Sequence, residues 1–309
     1  MDKNAKVLVI GENGVEGKHL LRYLKNKGIQ NVFTENSSDL NVMNEKSVDA
    51  FFKSIQFDIV FLLHTDSGGI LANIKNATEF AHKNIQVQNN IIPASHRGDV
   101  KKLIFLASSC VYPKNTSQPI KESQLRSGEL EETSKAYAKA KIAGIELCNK
   151  YNNNYGTKFI SVIPASIYGP NDNFDPDSSH VVAALIKKCY EARLRGAREV
   201  MVWGSGAPRR EFIYVDDLIN ACMVLIENDF AGVVNVGCGE DITIRALAEL
   251  IKESVGFEGA ITFDMSKPDG VFQKLLDSSR ITSMGWKPQI ALSEGIDKAC
   301  VWFAENYKE

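Results

Sequence analysis

The sequence predicts an α/β fold in which a doubly wound parallel sheet is joined to a smaller α/β lobe, and three observations lead there. A short apolar run at 6–10 passes into glycines 11, 14 and 17 and then into a helical pattern marked by Leu20, Leu21 and Leu24. Comparable apolar runs alternate with helical stretches as far as Pro164. Beyond it the alternation breaks, and residues 168–180 are a loop rich in turn-forming residues.

Taken in order, the run at 6–10 has the continuous hydrophobicity of a strand buried on both faces. The G-x-x-G-x-x-G turn that follows lets the backbone bend tightly and approach a pyrophosphate, whose charge meets the amino terminus of the next helix. Further strands are expected at 31–34, 58–63, 102–106 and 158–163, with helices between them, which is the pattern of a doubly wound sheet. The segments 211–216 and 232–237 read as returns to the first lobe, while the carboxyl-terminal helices complete the second. The expected division is 1–165 plus about 211–237 for dinucleotide binding, and about 166–210 plus 238–309 for the substrate.

Composition narrows the function classes. With 309 residues, 44% of them hydrophobic, the chain can bury a large core as two joined lobes. A net charge of -2 and a pI near 6.3 give no reason to expect nucleic acid or membrane as partner. No apolar stretch approaches the roughly 20 residues that span a bilayer, and the start lacks the hydrophobic segment of a signal peptide. Six cysteines are scattered without C-x-x-C pairs, as expected of reduced thiols in the cytoplasm with no metal site.

The chemistry centres on Tyr137 and Lys141. A helix places residues four apart on one face, so Lys141 is expected beneath the Tyr137 ring, stabilising its phenolate and tuning it to exchange a proton near neutral pH. Ser108, at the end of the strand expected at 102–106, supplies a hydroxyl donor. The same spacing also arises on charged surface helices, and residues 131–150 carry many charges. The glycine turn at the first strand is what favours catalysis.

Several segments together resemble the GDP-L-fucose synthase family of the short-chain dehydrogenase/reductase superfamily. They are the three glycines, Ser108 through Pro113, Tyr137 through Lys141, Tyr168 through Phe174, Ser179 with His180, residues 202–206, Arg210 through Ile213 and residues 266–270. The likeness runs from residue 6 to about 307. It implies a Rossmann-type cofactor domain, NADP(H) as cofactor, a GDP-4-keto-6-deoxy-mannose substrate and a homodimer formed through the helix after the third strand and the helix of Tyr137.

The resemblance also implies residue roles. A C4 ketone acidifies the sugar hydrogens at C3 and C5, so epimerisation needs a base and an acid. The family pattern makes Cys110 the base and His180 the acid. Its thiol becomes a useful base only where positive charge or donors favour thiolate, and His180 with bound substrate is expected to supply them. In the reduction that follows, Tyr137 protonates the carbonyl oxygen while Ser108 hydrogen-bonds it and Lys141 contacts the nicotinamide ribose.

Cofactor contacts are implied at Gly11, Asn13, Gly14, Val15 and Gly17 in the turn, and at Ser37, Asp39 and Leu40 after the second strand. Leu106 and Ala107, then Pro164, Ser166 and Ile167, carry further contacts, with Lys141 and His180. Substrate contacts fall on Ser109, Lys188, Trp203, Arg210 and Asp269, with Lys274 a further candidate for the diphosphate. Ser109 is equally suited to closing a strand end, Trp203 to the core, and the charged residues other than Arg210 to a solvated surface.

Two departures bear on specificity. Where some members carry arginines for a 2′-phosphate, this chain has Asn13 and Ser37, with Glu35 nearby. An acid after the second strand normally bonds a ribose 2′-hydroxyl, so NAD(H) stands as the alternative to NADP(H). The family's small, alanine-rich run is here residues 63–67, which bring His64 and Asp66 beside the cofactor. The alternatives on function are a related epimerase/reductase acting on another GDP-4-keto sugar, a 3,6-dideoxy sugar or a heptose, and a non-catalytic dinucleotide sensor.

Overall fold

The protein is described by a computed structural model over residues 1–36, 40–267 and 269–307. Strand β1 (Val7–Ile10) has all four side chains buried, as its continuous apolar sequence requires. The chain proceeds through α1 (Val15–Asn26), β2 (Val32–Thr34), α2 (Glu45–Ser54), β3 (Ile59–Leu62), α3 (Ile70–Lys75), α4 (Ala77–Arg97), β4 (Lys102–Leu106), α5 (Lys135–Tyr155) and β5 (Phe159–Pro164). The five expected strands are therefore β1 to β5. It then runs through β6 (Ser166–Tyr168), α6 (Val181–Leu194), β7 (Glu199–Trp203), β8 (Arg209–Tyr214) and α7 (Val215–Glu227) to β9 (Gly232–Val236). The remainder is β10 (Asp241–Thr243), α8 (Ile244–Val255), β11 (Ala260–Asp264), β12 (Gln273–Lys274), α9 (Ser279–Thr282) and α10 (Leu292–Asn306).

The main sheet is parallel throughout, in the order β2-β1-β3-β4-β5-β9. Strand order reverses between β1 and β3, and the loops leaving these strands part there, which is where open α/β sheets bind ligands. Helix α1 packs with α7, while α4 packs with α2 and along α5. One hydrophobic core lies between this sheet and its helices. A second core gathers α6, α8 and α10 on β7 and β8.

The segment 211–216, expected to return to the first lobe, does so only in part. Its strand β8 is the centre of a second sheet, pairing antiparallel with β10 and parallel with β6 and β12. The return is made by α7 and β9. Alternation along the strand explains the difference, because Ile213 enters the first core while Phe212 and Tyr214 enter the second. Strand β8 is thus a seam between the two cores.

Candidate active site

The glycine turn is sterically determined. Gly11 has a φ of +94°, and a Cβ there would stand 2.6 Å from the backbone nitrogen of His64. A Cβ on Gly17 would collide with the carbonyl oxygen of Gly11 and the backbone of Glu12, so α1 can lie close under the turn only with glycine there. Gly14 caps α1 without any side-chain hydrogen bond, leaving the first-turn N–H groups for an anion. The bare turn, the uncapped helix and the switch point together fit the pyrophosphate of a dinucleotide. Asn13 is exposed on the turn and Val15 opens the helix. Leu40 is buried, whereas Ser37 and Asp39 lie outside the described residues.

Where β4 ends, the backbone turns through a single helical turn at Ser109–Val111, with the Ser108 hydroxyl accepting from the Cys110 N–H at 3.3 Å. Ser108 and Cys110 therefore leave the same strand end partly exposed, while Leu106, Ala107 and Ser109 are buried. The buried Tyr137, on α5, has the hydroxyls of Ser108 and Ser67 in its neighbourhood, which favour the ionised phenol. Burial first, and then the nearby Cys110, push its phenol above its ordinary pKa. The expected tuning of Tyr137 toward neutrality is not found in the ligand-free protein, where the phenol keeps its proton.

Lys141 is buried on the same helix face, with its ammonium 6.0 Å from the centre of the Tyr137 ring. The ammonium donates to the carbonyls of His64 at 2.9 Å and Leu106 at 3.1 Å, and to the Thr65 hydroxyl at 3.0 Å. Burial lowers its pKa from 10.5 to about 7, although Glu16 and Asp66 favour the charged form. The segment flagged as a departure is thus an anchor for Lys141. Within it His64 Nε2 bonds Asp66 at 3.0 Å, and this bond holds the Asp66 carboxyl below its usual range.

Cys110 has a cation beside it. Burial alone would raise the thiol, but the Lys274 ammonium, at 3.6 Å from Sγ, and the hydroxyls of Ser108 and Ser134 more than offset that and lower its pKa. Beside the His180 and bound substrate expected to supply positive charge, the structure adds Lys274. His180 caps the start of α6. This histidine is exposed at the surface, yet the protein around its ring desolvates the imidazole and lowers its pKa. The preceding residues are fixed by close packing, since Gly69 N–H donates to the Ser178 carbonyl at 3.1 Å and a Cβ on Gly69 would stand 2.8 Å from the Ser179 oxygen.

The remaining candidates lie on the second lobe and the joint. Pro164 ends β5, and Ser166 and Ile167 lie on β6. Arg210, on β8, is in register with Lys274 on β12 and feels the charge of Cys110. Lys188, on α6, reaches the Met201 carbonyl at 3.4 Å and lies 5.9 Å over the Trp203 ring. Trp203 is 44% exposed and so does not close the core. Lys267 also lies over this ring, 5.4 Å from its centre. Asp269 is committed to the turn after Trp203, accepting from the Ser205 N–H at 2.9 Å and hydroxyl at 2.7 Å. A cavity of about 380 Å³ opens between this lobe and the first, lined by Lys114, Glu131, Gly270 and Gln273 among others.

Comparison with known proteins agrees with this geometry. The profile of the NAD dependent epimerase/dehydratase family matches residues 7–237. GDP-L-fucose synthase 1 of Arabidopsis thaliana is 44% identical over 99% of this chain and 95% of its own length. The crystal structure of a GDP-6-OMe-4-keto-L-xylo-heptose reductase from C. jejuni superposes with a TM-score of 0.92 at 31% identity, covering 99% of both chains. A GDP-L-fucose synthetase from Naegleria fowleri bound to NADP gives 0.87 at 29% identity, over 99% of this chain and 95% of that one. The chain therefore belongs to the GDP-L-fucose synthase family, within the NAD dependent epimerase/dehydratase family.

Proposed function

We propose that this protein converts GDP-4-keto-6-deoxy-D-mannose to GDP-L-fucose by epimerisation at C3 and C5 followed by NADPH-dependent reduction at C4. The observation that carries the reading is the shared strand end of Ser108 and Cys110 beside Tyr137. A simple reductase needs a proton donor and no second base, whereas here a thiol with a lowered pKa stands next to a protonated phenol. Cys110 takes the proton from carbon, and His180 returns one to the opposite face. The glycine turn with the amino terminus of α1 holds the dinucleotide pyrophosphate, and Lys141 meets its ribose. When bound, the reduced nicotinamide supplies hydride to the sugar ketone. Tyr137 gives the carbonyl oxygen its proton, and the Ser108 hydroxyl orients that oxygen.

Arg210 and Lys188 serve the diphosphate, and the exposed face of Trp203 serves the base. Asp269 acts by holding the turn at Ser205. The two lobes divide near residue 165, with β8 as their seam. Ile70, Leu71 and Ile74 on α3 and Ile85 on α4 are exposed apolar side chains beside the α4–α5 pair, which supports a homodimer through this surface. Six free cysteines suit a reducing, cytoplasmic compartment.

The test is to follow NADPH oxidation with GDP-4-keto-6-deoxy-D-mannose in deuterated water and identify the product. GDP-L-fucose labelled at C3 and C5 supports the reading, and an unlabelled 4-reduced sugar removes the epimerase step. The second reading, another GDP-4-keto sugar such as a heptose, draws on the likeness to the heptose reductase. Turnover of the heptose substrate in preference to the deoxymannose would favour it.

A further inference from the structure

We propose that Lys274 is the residue that activates Cys110, its ammonium holding the thiol as thiolate so that the sulfur can accept a proton from the sugar. This inference rests on the reading of Cys110 as the epimerisation base. Nothing in the spacing of the sequence links the two, which stand 164 residues apart.

The fold holds the pair from both sides. Gln118 clasps the backbone on either side of Lys274, its amide donating to the Gln273 carbonyl at 3.2 Å and its oxygen accepting from the Leu275 N–H at 2.8 Å. Ile120 continues the clasp, taking the Asp277 N–H at 2.8 Å and donating to the Leu275 carbonyl at 2.7 Å. The buried Glu211 accepts the Leu276 N–H at 2.9 Å from β8. On the other side, Tyr112, two residues beyond Cys110, donates to Asn235 at 2.6 Å, and Asn235 donates to the Ile120 carbonyl at 2.8 Å. The turn carrying the thiol and the strand carrying the ammonium are therefore tied to one hydrogen-bonded knot. Among the described residues Lys274 forms no ion pair with a carboxylate, so its charge faces the sulfur.

The other groups around the sulfur do not replace it. Arg210 on β8 interacts with the charge of Cys110 but has its guanidinium hydrogen-bonded to the Arg209 carbonyl at 2.8 Å. Tyr137 on α5 is uncharged, and Ser108 and Ser134 offer hydroxyl donors. With thiolate in place, the carbon–hydrogen bond at C3 or C5 breaks and a sulfur–hydrogen bond forms. The electron pair moves toward the C4 oxygen as an enolate. His180 returns a proton to the opposite face of that carbon, and the proton on sulfur passes to solvent water before the second epimerisation, leaving the thiolate again beside Lys274. Because β12 belongs to the second sheet, the base is complete only with the two lobes docked.

The experiment is the pH dependence of iodoacetamide alkylation at Cys110 in the ligand-free full-length protein. Peptide mass spectrometry distinguishes it from the other five cysteines. Lys274→Met is expected to displace the profile upward by at least about one pH unit, slowing alkylation near neutrality about tenfold. Lys274→Arg is expected to keep the profile within about threefold of wild type. In parallel, Lys274→Met should slow solvent exchange at C3 and C5 more than it raises KM for the GDP-sugar. A wild-type alkylation profile in both Lys274→Met and Lys274→Gln, with a raised KM, would overturn the pairing and return Lys274 to the diphosphate. Alkylation needs no substrate, so a displaced profile in a protein that makes no GDP-L-fucose supports the pairing and counts only against the proposed substrate.

Discussion

Lys141 donates through its ammonium to the backbone carbonyl of His64 at 2.9 Å, which binds helix α5 to the loop leaving β3 at the switch point of the sheet. The bond keeps a buried cation in place against the cost of desolvation. That cost has a pH signature. The Lys141 pKa is about 7 in the folded protein against 10.5 ordinarily, so between these values the unfolded chain binds more protons. Stability from this residue is lowest below pH 7 and rises with pH above it. Lys141→Met should abolish turnover, and thermal melts of the ligand-free proteins should show wild type gaining on the variant as pH rises from 6 to 9. A constant difference across that range would mean that Lys141 is not a depressed lysine.

Tyr137→Phe tests the division of the two half-reactions. Its phenol is raised above the ordinary range by burial, so it is a proton donor that stays loaded. Removing the hydroxyl should cut NADPH oxidation by about 10²- to 10⁴-fold. Deuterium entry at C3 and C5 should persist, because Cys110 and His180 are untouched. Loss of exchange together with reduction would show that Tyr137 also takes part in epimerisation.

Much of this architecture is legible in the sequence, for a physical reason. Strands β1, β3 and β5 are buried throughout and β4 nearly so, which requires largely apolar runs, whereas β2 is a half-buried edge strand, and the glycines at 11 and 17 stand where a Cβ would strike backbone. Tyr137 and Lys141 meet because a helix fixes their spacing. The misses share another cause. The apolar half of β8, Phe212 to Tyr214, suits either lobe, and only the strand's pairing with β6, β10 and β12 decides. Strand β12 is two residues long and carries no periodicity, so its lysine could be read only as a charge for phosphate. The carbonyl partners of Lys141 belong to the backbone and leave no trace in residue type.

Gly17→Ala should disable the cofactor site through backbone alone. The added methyl would meet the Gly11 carbonyl oxygen and Glu12 Cα, neither of which can swing aside as a side-chain tip would. Overpacking of this kind costs about 1–3 kcal/mol. Thermal melts should register that loss, and calorimetric titration should show dinucleotide affinity falling by more than tenfold. Unchanged affinity would separate the glycine turn from cofactor binding.

Glu35 supplies the last prediction, because it stands just beyond β2 where an adenosine ribose is read. Burial, and then the like charge of Glu12, raise its carboxyl above the ordinary range, while the Gly11 N–H and His64 oppose this. Glu12 and Glu35 each have a buried carboxylate oxygen without a hydrogen-bond partner among the described residues, Glu12 having spent its other oxygen on the Asn36 N–H at 3.1 Å. A protonated Glu35 can donate to a 2′-phosphate, whereas an ionised one repels it. KM for NADPH should therefore rise as pH climbs through the elevated pKa of Glu35, with KM for NADH changing less. Glu35→Gln removes the titrating charge, so it should flatten that rise and shift the ratio of kcat/KM toward NADPH by about three- to tenfold, of the order of one weakened charge contact. Steady-state kinetics with both cofactors across pH make the comparison. A slope that survives the substitution would show that Glu35 is not the titrating group.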